Sequence, residues 1–109
     1  MKLDGFDFTA TDWSAVPRES RPGETGTVSQ RVQHFGEVRV RLVEYSPGYA
    51  ADHWCHKGHV LYVLDGELTT TLDDGRVVVT PRGGSYQVAD GHEAHRSGTE
   101  HGATLLIVD

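Results

Sequence analysis

Turn residues punctuate this chain roughly every eight to twelve positions, and the stretches between them are rich in β-branched and aromatic residues. Ser46-Pro47-Gly48, Lys57-Gly58, Asp65-Gly66, Asp73-Asp74-Gly75, Pro81-Arg82-Gly83-Gly84 and Asp90-Gly91 mark the breaks. Asp-Gly and Gly-Gly pairs supply the positive φ that tight hairpins require. Helical periodicity is almost absent. The pattern predicts strands over about 27–33, 36–45, 51–56, 59–64, 67–73, 76–80, 85–89, 93–97 and 103–108, hence an all-β chain. So many antiparallel strands in 109 residues require two packed sheets or a closed barrel, and a double-sheet jelly roll disposes of edge strands well. Alternation places Val38, Val40 and Leu42 inward and Arg39 and Arg41 outward.

Residues 1–26 read differently. Pro17, Pro22, Gly23 and Gly26 interrupt them, so they are expected to form an extended arm pinned by Phe6, Phe8 and Trp13, with one helical turn near Asp12. Residues 27–109 form the barrel domain. The net charge of −6 excludes the clustered Lys/Arg of a nucleic-acid binder. No apolar stretch approaches the ~20 residues needed to span a bilayer, and Met1-Lys2-Leu3-Asp4 leads into no apolar signal segment. The one cysteine, Cys55, cannot form an internal disulfide. The expected location is the cytoplasm.

The segment "DHWCHKGHVLYVLDGEL", residues 52–68, gathers His53, Cys55, His56 and His59 just before an apolar run. Alternation puts His53 and Cys55 on one face and His56 on the other. Lys57-Gly58 then reverses the chain and returns His59 beside the first two. Three soft or borderline donors at one height make most of a metal site. A solvated, His-rich hairpin is the bland alternative. A fourth donor is offered by "DGHEAHRSGT", as His92 or His95.

These segments resemble the two sequence motifs of the cupin family. Gly48, His53, Cys55, His59 and Gly66 occupy the places of the first motif, with four residues instead of five after the Gly. Gly84, Asp90, His92, His95 and Thr99 fall at the spacing of the second, where Asp90, His92 and Thr99 replace the usual Pro, Gly and Asn. "DHWC" followed by "KGHVLYVLDGEL" most resembles a group of small bacterial cupins with an Asp-His-Trp/Cys motif. The resemblance implies a double-stranded β-helix, a jelly-roll barrel, with His53, Cys55, His59 and His95 holding one divalent transition metal. Cys55 stands where most cupins place a second His, and His59 where most place Glu. Thiolate moves the preference from Mn and Mg toward Zn, Fe, Cu or Ni.

Tyr86 and His92 are the candidate catalytic side chains, although a core tyrosine and a solvated loop histidine are the plainer readings. Trp54 is expected between the sheets or at a subunit contact, and Asp52 as a possible orienter of a ligand histidine. His34 and His101 read as turn residues. Arg39 and Arg41 read as exposed strand-face arginines, or as a carboxylate-binding mouth. Leu61, Val63 and Val88 would keep the site dry. The expected function is a metal-dependent enzyme on a small organic molecule, foremost a dioxygenase-type oxidoreductase, with an isomerase or lyase on the same ligands. The rival is a non-catalytic module that binds or senses a metal or small ligand, marked by a closed four-coordinate site. Small cupins commonly pair through a sheet face, so a homodimer is expected, with Phe6, Phe8 or Trp13 at the contact.

Overall fold

The computed structural model describes residues 2–109. Its strands are β1 (Glu19–Pro22), β2 (Thr27–Phe35), β3 (Val38–Tyr45), β4 (His59–Leu72), β5 (Val77–Pro81), β6 (Ser85–Val88), β7 (His95–Gly98) and β8 (Ala103–Val108), all paired antiparallel. The all-β expectation holds. So does the turn near Asp12, whose carboxylate accepts from the Ser14 amide and caps a single 3-10 turn, Trp13–Ala15.

β4 organises the barrel. Its first half lies between β8 and β6 in one sheet, which continues through β3 and β2 to β1. Its second half lies between β5 and β7 in the other sheet. The strands expected over 59–64 and 67–73 are therefore one strand of 14 residues, and Asp65-Gly66 is no hairpin. Gly66 explains the difference. Its φ is +75°, and a Cβ there would stand 2.1 Å from the Gly102 carbonyl oxygen. The ladder with β8 shifts register between Val63 and Asp65. Gly66 thus sits at a bulge that carries the strand from one sheet into the other.

Two more expectations need correction. Residues 51–56 form no strand: Ala50 and Cys55 make only isolated bridges, to Gly98 and His95. Without a ladder on either side, strict alternation is not imposed on that stretch. Residues 19–22, read as arm, pair with β2 as an edge strand. Both faces of that strand are exposed, so no hydrophobic pattern marked it. The arm's buried anchor is Val16, while Phe6 packs on Phe35 with ring centroids 5.7 Å apart and Phe8 is bare to solvent.

The core consists of Val43, Leu61, Val63, Leu68, Leu105 and Ile107, with Ala103. Register then reverses the expected facing of β3. Val43 pairs with Leu105 and Arg41 with Ile107, so Arg41 points inward. Val40 and Leu42 lie on the outer face beside Val108 and Leu106, although Val38 is buried as expected. The inversion has a polar cause: Arg41 meets the carboxylate of Asp109 inside the barrel, so a charged residue takes an inward position.

Candidate metal centre

His59 opens β4 on its inward face, opposite Val88 of β6. His95 opens β7. The bridge between Cys55 and His95 sets the thiol beside it, with the Cys55 amide donating to the His95 carbonyl at 2.8 Å and the reverse bond at 3.1 Å. The turns that lead into these strands are tied together. The Gly58 amide donates to the Asp90 carboxylate at 2.6 Å, and the Gly91 amide to the His56 carbonyl at 2.9 Å. As a result, one donor atom each from Cys55, His59 and His95 lie within 4.8 Å of one another. The two imidazoles meet edge to face, centroids 4.9 Å apart.

The protonation pattern suits a metal. His95 Nδ1 donates to the Glu93 carbonyl at 2.9 Å, which leaves the lone pair on Nε2. That Nε2 is buried and has no hydrogen-bond partner, and neither has His59 Nδ1. Burial pushes His59 down from 6.5 to about 4, and the neighbouring His95 and Arg41 act in the same direction, so its ring is neutral at pH 7. An orphaned buried polar atom costs about 1–3 kcal/mol. Two neutral imidazoles and a thiol, with nitrogens left unpaired, fit a borderline-soft divalent ion. The Tyr86 hydroxyl lies 3.0 Å from His59 Nε2, and burial raises its phenol further, so it stays protonated.

The structure brings three of the four expected ligands together. His53 stands apart, at the rim of the same cavity, its side chain 68% exposed and its Nδ1 2.7 Å from Asp52. The Asp52 contact expected for a ligand histidine is therefore present, on a histidine outside the donor group. His92 is exposed on a turn outside the cavity wall, and His34, His56 and His101 are exposed as expected. Trp54 is not between the sheets. It lies half-exposed under the Arg96 guanidinium, 5.4 Å from the ring centroid. Thr99 has a structural part, donating to the Glu67 carbonyl at 2.7 Å and accepting from the Gly102 amide. Sequence reasoning missed the Glu93 carbonyl, for which a sequence carries no signal, and the inward turn of Arg41.

All three donors line one cavity of about 110 Å³, together with Arg41, Tyr86 and Leu61. A wider groove of about 590 Å³ runs along Lys57, Val88 and Asp90 and touches only His59 among the donors. The smaller cavity is the one that faces the chemistry.

No protein-family model and no curated protein matches the chain. Solved structures do. The chain is similar to the polyketide cyclase RemF from Streptomyces resistomycificus, with TM-score 0.76 and 21% identity over 94% of this chain and 78% of that one. It is similar to the predicted oxalate decarboxylase from Thermotoga maritima, with TM-score 0.75 and 18% identity over 92% and 96%. An RmlC-like cupin from Shewanella frigidimarina gives TM-score 0.70 and 20% identity over 96% and 88%. The chain has the cupin fold, as its two motifs implied. At such identities the likeness fixes the fold and leaves the chemistry to the site.

Proposed function

We propose that this chain is a metal-dependent enzyme acting on a small organic molecule, and in its finer form a dioxygenase-type oxidoreductase. One observation carries the reading: Cys55, His59 and His95 converge with unpaired, buried imidazole nitrogens on the wall of a cavity. Zn, Fe, Cu or Ni suits this donor set, and such an ion supplies Lewis acidity or, for iron and copper, redox chemistry at a position left open for a small molecule. The chain's own groups do the rest. Glu93 fixes the His95 tautomer through its carbonyl, Leu61 and Ile107 exclude water, and the protonated Tyr86 hydroxyl stands ready to donate a hydrogen bond. Cyclase and decarboxylase on this fold are consistent with chemistry on small organic molecules. The lone thiol at the centre of the site suits the reducing cytoplasm.

The test is metal content of untagged protein, followed by X-ray absorption. The expected result is one ion per chain with one sulfur and two imidazole ligands and at least one solvent-derived ligand. A closed four-coordinate protein site would assign the chain to the non-catalytic class. For the finer reading, iron-loaded protein should consume O₂ when supplied with its substrate class. Turnover without O₂ would instead select an isomerase or lyase.

The same reading includes a homodimer. On the outer face of the first sheet Val60, Tyr62 and Leu64 are 46%, 43% and 40% exposed, flanked across the ladder by Leu106 and Val108. Charged residues are absent from that row, which favours burial against a second copy. Light scattering at micromolar concentration should give twice the chain mass, and Tyr62→Glu should give the chain mass. A monomeric wild type would end this part of the reading.

A further inference from the structure

The chain as a whole is acidic, yet the wall of the donor cavity carries Arg21, Arg41 and Arg96 and no carboxylate. Arg41 is the innermost. Its Nη2 reaches Asp109 Oδ2 at 3.2 Å, while its Nε is buried and has no hydrogen-bond partner. Asp109 does not neutralise it alone. The same carboxylate takes both Nε and Nη2 of Arg39, at 2.9 and 3.0 Å, so two guanidiniums share one acid whose side chain is 1% exposed. A net positive charge is left on a largely buried cluster, and a buried, uncompensated cation is costly unless an anion joins it. Arg96 is engaged at the rim, by Glu24 at 2.8 Å and the Ala51 carbonyl at 2.7 Å. The free N–H of Arg41 is the one that lacks an acceptor.

We propose that this cavity takes a small carboxylate, with Arg41 Nε donating to a carboxylate oxygen and the Cys55, His59 and His95 side of the cavity facing the rest of the molecule. The wall decides the class of anion. Phosphate sites draw on helix N-termini or rows of backbone amides, and the described residues offer one 3-10 turn, remote from the cavity lining. A guanidinium edge matches the planar, two-oxygen carboxylate. The volume of about 110 Å³ limits the occupant to a short acid, or to the acid end of a longer one. The proposal rests on the metal-centre reading only in that both use the same cavity.

Isothermal titration of metal-free and Zn²⁺-loaded protein with malonate, malonamide, acetate, acetamide and inorganic phosphate tests it. Malonate should bind metal-free protein at least tenfold more tightly than malonamide or phosphate, and more tightly again with Zn²⁺ present. Arg41→Gln should weaken malonate by tenfold or more, the loss expected for one charge-assisted hydrogen bond, while Cys55→Ala leaves the metal-free affinity within about threefold. Should Arg41→Gln fail to fold, the Arg41 Nε–H resonance of ¹⁵N-labelled wild type decides: it must move on adding malonate. Equal binding of acid and amide, or an unmoved resonance, overturns the proposal. Zn²⁺ uptake without malonate binding would end this proposal and leave the metal centre standing, whereas Arg41-dependent malonate binding without Zn²⁺ uptake would do the reverse.

Discussion

His59 and Cys55 are four residues apart and reach the same site by different means. His59 opens a strand that pairs with β6 and, one residue on, with β8, so its direction is set by ladder register. Cys55 belongs to a stretch held by a single bridge to His95. Where a residue has neighbours on both sides, the pleat fixes which way its side chain points. Where it has one bridge, local hydrogen bonds decide, and His53 turns to Asp52 and solvent. A ligand set drawn by parity alone is therefore dependable at His59 and fragile at His53.

The largest expected effect strikes the paired half. Gly66→Ala forces a side chain into a left-handed backbone position against the Gly102 carbonyl, and it should cost about 3 kcal/mol or more in urea unfolding. Gly91→Ala, also at positive φ but with open space around it, should cost only about 1 kcal/mol. Equal losses would mean that β4 does not pass between the sheets as described.

Metal affinity should separate the two halves next. His59→Ala and His95→Ala should weaken Zn²⁺ binding beyond the roughly 10–100-fold that loss of an outer-shell partner costs. Cys55→Ala should fall in the same range, whereas His53→Ala and His56→Ala should stay within about threefold. A hundredfold loss in His53→Ala would show that the 51–56 stretch swings His53 inward when the ion binds.

A smaller effect follows from His59 in metal-free protein. Its folded value of about 4 lies below the unfolded 6.5, so the unfolded chain takes up the proton first. Stability should be full above pH 6.5 and should decline as pH falls toward about 4, by about 2 kcal/mol. His59→Gln should flatten that part of the profile. Smallest of all, Trp54→Leu removes the stacking of Arg96 on an exposed ring and should cost about 0.5 kcal/mol. A loss above 2 kcal/mol would mean the loose stretch is better anchored than one bridge allows.

The same contrast explains what could be read from the sequence. Alternation of His59, Leu61 and Val63 against Val60, Tyr62 and Leu64 gave the right faces, and turn residues located six of the strand boundaries closely. Spacing between two distant segments brought His95 to Cys55. Asp65-Gly66 misled because a glycine with positive φ serves a hairpin and a bulge alike. β3 misled because Arg41 looks like a surface residue until its partner, Asp109, is known from 68 residues away. Long-range charge pairing leaves no local trace.

The two hydrogen bonds between Cys55 and His95 also bear on time. A bound ion would be enclosed by β4 and β7 on one side and by a short clasp on the other, and the clasp can part while the ladders stay shut. Ion turnover should then follow the opening of residues 51–56 and not the unfolding of the barrel. Exchange of ⁶⁵Zn²⁺ should proceed at the rate at which the Cys55 amide becomes open to hydrogen exchange, far ahead of the Val63 amide. Such a centre is labile in its kinetics although firm in its affinity, and it can be refilled without refolding.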